Sequence, residues 1–251
     1  DKILGIKRSM YLGATLLIAG YAILAMFSSV DYRILYFSLA LIIIGSCLFK
    51  PAPTNLIASI YGENKQQLDI TFTYFYMSIS IGSFVASIMI PYLATNYGYL
   101  SALSACSIGL IIGMSYSILN YGSIRGIENE VGKSNISLIS MLKITLSIII
   151  GTTLVSIMLS HDMIVNWVLG IAAVSVFAYF IWQIKLNSSK EAKNKMIALL
   201  FMLIYAVAFF VIYQQKNTSF MLFNKHHVDL YFLGFNINPQ TVPGLLNTSG
   251  I

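Results

Sequence analysis

Seven stretches of about twenty residues, nearly all of them apolar, decide what this chain can become, because each is long enough to cross the hydrocarbon of a bilayer. They fall at 9–28, 34–60, 70–93, 99–120, 139–160, 164–186 and 195–223, and a further apolar segment opens near Val242. With 57% hydrophobic and 10% charged residues among 251, polar side chains are too few to cover a water-soluble globule of this length. Ten-residue segments of alternating polarity, the mark of an outer-membrane barrel, are absent, so helices must satisfy the backbone in lipid. The expected fold is all-α, a polytopic membrane helix bundle.

Charge placement reports orientation. Lys2, Lys7 and Arg8, then Lys65, then Arg125 and Lys133, then Lys185, Lys190, Lys193 and Lys195 fall in alternate connectors, and the other connectors hold little beyond Arg33 and Lys225. The positive-inside rule puts the first set in the cytoplasm, with Lys193 inside and Asn224 outside. The formal charge of +6 is spread over connectors rather than gathered into a basic patch with interleaved aromatics, so nucleic acid is not an expected partner. Cys47 and Cys106 lie within spans and read as small core residues rather than a disulfide framework. The chain opens at Asp1 inside a polar loop and stops at Ile251 just past the start of a new apolar segment, which leads to the expectation of a piece of a longer protein. Its clearest composition break is the basic connector at 185–195.

Polar residues inside the spans are the candidates for function. At helical spacing Ser46, Lys50 and Thr54 share one stripe of the second span, while Thr73, Tyr76, Ser80, Ser83 and Ser87 share one of the third. Phe210, Tyr213, Gln214 and Asn217 make another on the seventh. Three such stripes imply a shared wet interior. The hydroxyls alone carry little weight, since they satisfy themselves on their own helix or help helices pack. Lys50 differs: an ammonium inside a span marks an ion or substrate path, the plainer reading being that it snorkels to an interface. Pro51 and Pro53 remove backbone donors beside it, and a bent or broken helix near mid-membrane is a common way to build a binding site.

These residues resemble a known family. FTYFYMSISIGSF at 72–84 is similar to the second signature of the proton-dependent oligopeptide transporters, an aromatic pair followed by Asn-x-Gly, and DKILGIKRSMYLGATLLIAGY at 1–21 to the latter part of their first. LFKPAPTNLIASIY at 48–61 resembles their fourth helix with its lysine. FFVIYQQKNTSFMLF at 209–223 resembles the seventh helix of the bacterial di- and tripeptide permease branch, and NINPQTVPGLLN at 236–247 the approach to the eighth. The resemblance implies a major-facilitator fold, with 1–135 covering helices three to six, 136–192 two helices inserted between the halves, and 193–251 helix seven and the approach to helix eight. It implies proton-driven uptake of di- and tripeptides across the cytoplasmic membrane by a protein that is monomeric at full length and needs no cofactor. Carried over position by position, Lys50 is the helix-four lysine near the peptide carboxylate and the proton-coupling acids of helix one, and Tyr76 the helix-five tyrosine. Phe210 and Tyr213 would line the pocket from helix seven, and Asn247 matches the polar residue opening helix eight. Ser80 stands where the signature has asparagine, Gln214 where some members carry glutamate, and Thr248 where proline is usual. Every acid of this chain maps to a connector or a span end, so the family's acids on helix one and in the carboxy-terminal half would have to supply the partner for a peptide's amino end. The chain as given is not expected to transport by itself. A truncated remnant without transport, or a family member carrying another small solute, are the alternatives.

The rival class is enzymatic: an intramembrane hydrolase using His161 with Asp162, or a metal site at His226, His227 and Asp229. His161 and Asp162 occupy a short turn where aspartate is a routine N-cap, and adjacent residues cannot both face one metal on a helix. His226 and His227 read as part of a polar outer loop without ligand spacing, and Gly-x-Ser-x-Gly is absent. The chain is therefore read as not an enzyme and as holding no metal.

Overall fold

The computed structural model describes residues 5–27, 31–62, 64–120, 138–186, 189–215, 218–228, 230–232, 235–236 and 238–242. Among them the helices are α1 (Ile6–Phe27), α2 (Tyr32–Phe49), α3 (Pro51–Tyr61), α4 (Lys65–Tyr97), α5 (Tyr99–Leu119), α6 (Leu138–Leu159), α7 (Asp162–Leu186), α8 (Lys190–Gln214) and α9 (Ser219–His227). Joining α2 to α3 and α8 to α9 gives seven segments long and apolar enough to cross a membrane, as the hydropathy pattern predicts, and the chain is a multi-pass membrane protein. The fold is all-α as expected, and the described residues add only one short antiparallel pair, β1 (Tyr231–Phe232) beside β2 (Phe235–Asn236), with Phe232 opposite Phe235. The segment opening near Val242 lies mostly outside the described residues.

Local chemistry sets the helix ends. Asp31 caps α2, its Oδ1 accepting the Arg33 N–H at 3.0 Å. Asn64 caps α4 by accepting the Gln67 N–H at 3.2 Å, so that helix starts at Lys65 rather than near 70. The extra turn is too polar to register as hydropathy, yet Lys and Gln are good helix formers. Gly98, at φ +85° and ψ 165°, ends α4 and begins α5 within one residue, a backbone conformation that is nearly glycine-only. The expected seventh span at 195–223 is divided: the Gln215 N–H closes α8 on the carbonyls of Ile212 and Tyr213, and a new helix starts at Ser219.

The chain separates into two compact units, the first taking in Asp1–Ser160 and the second His161–Leu246. In the first, α1 is central and packs against α2, α3 and α5, while α4 lies on α3 and α5, and α6 lies on α2. The α1–α2 crossing brings backbone to backbone. A Cβ added at Gly13 would sit 2.7 Å from the Phe49 nitrogen and 2.9 Å from the Gly45 carbonyl oxygen. One added at Gly45 would sit 2.9 Å from the Leu17 nitrogen. Small residues at a crossing are how membrane helices gain dispersion contact without a hydrophobic drive between them. Polar bonds tie α1 to α5: the Tyr11 hydroxyl lies 3.2 Å from Ser117 Oγ, and Ser107 Oγ–H donates to the Ile18 carbonyl at 3.5 Å. In the second unit α7 packs on α8, and none of the apolar window of either is buried against protein, as expected of surfaces that meet lipid.

Two smaller readings change. Cys47 is exposed on α2 rather than part of the core, because its side of the helix turns away from α1. Asn224 is buried at 3% relative exposure inside the second unit, so the exposed neighbour Lys225 is the place to probe the outer surface. In the full-length protein a cysteine at Lys193 should react only with reagent added from the cytoplasm and one at Lys225 only with reagent from outside; the opposite pattern overturns the orientation. Gly45→Leu must force α1 and α2 apart, and overpacking of this kind costs about 1–3 kcal/mol. Thermal unfolding of the purified protein should register that loss, while Leu at the open position Gly109, whose Cβ would meet nothing within 4 Å, should not.

Candidate functional site

Lys50 stands between two helices without breaking the path of the chain. Its φ and ψ of −59° and −43° are those of an ordinary α-helix, and its N–H donates to the Ser46 carbonyl at 3.0 Å. What fails is the hydrogen-bond ladder beyond it. Pro51 and Pro53 have no N–H, so in i to i−4 register the carbonyls of Cys47 and Phe49 lose their helical donors. The expected interruption is thus a local gap in bonding at the first turn of α3, where proline is well tolerated, rather than a separate unwound segment.

Depth decides what such a lysine can do. The joined span runs Tyr32–Tyr61, so Lys50 lies about 5 Å past its midpoint at 1.5 Å per residue. With that span centred in a hydrocarbon core about 30 Å thick, the nearer edge is about 10 Å away along the helix axis. The side chain is exposed at the protein surface, and no described carboxylate pairs with it. The described acids lie elsewhere: Asp31 caps α2, Asp69 is in the second turn of α4, and Asp162 opens α7. Glu191 pairs with Lys195 at 2.7 Å on the exposed start of α8.

Helix α3 packs on α4, which carries Tyr76 and Ser80. Tyr76 is 60% exposed and held by neighbouring rings, stacked on Phe72 at 6.4 Å and edge-on to Phe75 at 5.7 Å between centroids. The hydroxyl stripe thins out here. Thr73 Oγ1–H donates to the Asp69 carbonyl at 2.9 Å and Ser87 Oγ–H to the Ser83 carbonyl at 2.7 Å, so both are spent on their own helix. Half-buried Ser80 has no such bond among the described residues.

The helix-seven candidates belong to the second unit. Phe210 and Tyr213 sit in the last turns of α8, in a ring cluster with Phe209. Tyr213 stacks on Phe209 at 5.6 Å and meets Phe210 edge-on at 6.1 Å. Gln214 is the last residue of α8. Asn217 and Asn247 lie outside the described residues.

The residues of the enzymatic rival are scattered. His161 opens α7 through its carbonyl, which accepts the N–H of Ile164 at 3.0 Å, so Asp162 is the first helical residue and not the cap. His226 and His227 end helix α9 rather than lying in a loop, and the His227 ring rests 5.3 Å from that of Phe223. Asp229 is outside the described residues. A cation the sequence reading passed over is Lys143, exposed in the second turn of α6. Its place at a span end is that of an interfacial anchor.

Comparison with known proteins places these residues in context. The sequence model of the POT family matches residues 7–249. Dipeptide and tripeptide permease A of Proteus mirabilis is 36% identical over 98% of this chain and 50% of its own length. Dipeptide and tripeptide permease B of Aliivibrio fischeri is 34% identical, with 98% and 49% covered. The chain spans about half the length of the curated relatives it matches. Among solved structures, tetrameric PepTSo2 superposes with a TM-score of 0.86 at 28% identity, over 98% of this chain and 55% of the other. A bacterial homologue of the human drug peptide transporters PepT1 and PepT2 does so at 0.87 and 26%, with the same coverage.

The gap in the ladder is itself testable. Replacing Pro51 and Pro53 together by alanine supplies donors for the Cys47 and Phe49 carbonyls, each bond worth about 0.5–1.5 kcal/mol. Amide hydrogen exchange over 47–57 should slow in the full-length variant. Unchanged exchange would mean that those carbonyls are already satisfied.

Proposed function

The chain belongs to the POT family, and from that premise we propose that the full-length protein carries di- and tripeptides with protons across the cytoplasmic (inner) membrane. Lys50 is the observation that supports this most: an exposed ammonium in a major-facilitator-type span that forms no ion pair among the described residues. Even on the lenient insertion scale such a charge costs about 2.5–3.5 kcal/mol, so a partner or a function must offset it.

A short peptide is a zwitterion with variable side chains, and a site that accepts many of them fixes the charged ends and leaves the middle to water and adaptable apolar walls. In this reading Lys50 takes the peptide carboxylate. Tyr76, Phe210 and Tyr213 supply ring walls, and Ser80, Gln214 and Asn247 supply polar contacts, Ser80 through a bridging water. The arriving carboxylate displaces the acid that otherwise neutralises Lys50, freeing that acid to bind a proton, so one cation links substrate to proton. That acid and the partner of the peptide's amino end come from outside this chain's spans. We assign 1–135 to the amino-terminal half, 136–192 to the inserted helices and 193–251 to the start of the second half. We take the full-length protein to work as one chain; since PepTSo2 is described as a tetramer, sizing of the purified protein decides its state. The half-length coverage favours one other reading, a truncated product without transport, which the coding frame on either side would reveal.

In liposomes holding the full-length protein, dipeptides and tripeptides should compete for one saturable uptake, and free amino acids should not. Competition by an inorganic anion without peptide competition would make another solute the cargo. Lys50→Gln should insert normally and retain peptide exchange, yet lose accumulation driven by a pH gradient. Accumulation at the wild-type rate would reduce Lys50 to a snorkelling side chain. Ser80→Asn should reorder affinities among peptides without abolishing uptake.

A further inference from the structure

Helix α6 is one of the two helices placed between the halves, and its packing is one-sided. Among the described side chains of α6, those wholly or partly covered lie along one side, Ile144, Ile148, Gly151, Thr152 and Val155 joined near the helix end by Ser156, Met158 and Leu159, while Met141, Leu142, Leu146, Ile149, Ile150 and Leu154 stand exposed. That side lies on α2. Thr152 is 2% exposed, its hydroxyl donating to the Ile148 carbonyl at 2.7 Å, so it enters the contact with no unsatisfied polar atom. A Cβ built on Gly151 would already stand 3.3 Å from Ile44 Cδ1.

The register of α2 shows what this contact controls. Ser38, Ile42, Gly45 and Phe49 meet Gly13 and Gly20 of α1, and at about 100° per residue they span only about 60° of arc. Ile44, which meets α6, points about 130° to one side of that arc, and Lys50 about 110° to the other. The helix therefore has three faces. One is clamped backbone to backbone on α1, one is backed by α6, and the third carries Leu39, Ile43, Ser46 and Lys50. On that third face Ile43 and Lys50 are exposed and the other two are half-buried. Two contacts about 130° apart fix both the tilt and the rotation of a helix where one would leave rotation free.

We propose that α6 is an intramembrane splint for α2, and that Gly151 and Thr152 are positioning residues which hold α2 turned so that Lys50 stays on its open face. The inference rests on the reading of Lys50 as the group that links peptide to proton. It gives the inserted helix a purpose inside the transport cycle: the α2–α6 contact persists while other contacts change.

The test uses the full-length protein in liposomes with an imposed pH gradient. Gly151→Leu should lower peptide accumulation by about tenfold and displace its pH dependence, as expected when a supporting contact is loosened by about 1 Å. Adding Ile44→Ala, which vacates the space the leucine needs, should return both to near wild type. Wild-type accumulation and pH dependence in Gly151→Leu overturn the proposal, and so does a loss with unaltered pH dependence that Ile44→Ala does not relieve. A second measurement stands apart from the fate of that variant. With Cys47 and Cys106 replaced by serine, the pair Ile44→Cys and Gly151→Cys should join rapidly through a short bifunctional thiol reagent, and the joined protein should transport as before. Failure to join, or joining that halts transport, overturns the splint. Lys50→Gln run alongside separates the two ideas: if it accumulates peptide normally, the reading of Lys50 has failed, and cross-linking alone then decides whether α6 stays seated on α2.

Discussion

Where α1 crosses α2 there is no room for a side chain, and the arrangement of the first unit depends on that closeness. Lipid offers a helix no hydrophobic reason to leave it for another helix, so association must come from dispersion at short range and from a few polar bonds. Gly13 and Gly45 permit the short range, and the Tyr11–Ser117 and Ser107–Ile18 bonds set α5 on another side of α1. Because α1 grips α2 up to Phe49, the lysine that follows is held one residue beyond a rigid contact. The missing donors of Pro51 and Pro53 then begin where that support ends.

The spans were legible because about twenty apolar residues in a row have few other uses, and each such stretch became a helical span, built of two helices in the second and the seventh, within about five residues of its expected limits. The misplacements have physical causes. Hydropathy does not see the polar first turn of α4, which depends on the Asn64 cap. It also joined α8 to α9 across a polar interval, and it read His226 and His227 as loop when they close a helix. Composition marks what enters lipid, whereas hydrogen bonding marks where a helix stops.

Site residues were legible to different degrees. Lys50 announces itself, since a charge among apolar residues is rare and costly. The serine and threonine stripe did not discriminate: Thr73 and Ser87 turn out to bond their own backbone, and only coordinates separate them from Ser80. The role of α6 could not be read from polarity at all. Its signal is the helical spacing of covered positions, 144, 148, 151, 152 and 155 among them, which in sequence disappears because the exposed face is equally apolar. In lipid the usual contrast between an inside and an outside face is lost, and packing has to be read from residue size.

Gly98 carries a consequence for how the protein is made. A single residue links α4 to α5, and the two helices pack together, so their joined ends lie at one depth in the membrane. That link contains no charge. Its side of the bilayer is therefore inherited, not chosen: whichever side holds the Lys65 end of α4, chain length alone dictates the heading of α5. Biogenesis must then handle the pair as one hairpin, with no pause between them in which either helix could sample the opposite orientation.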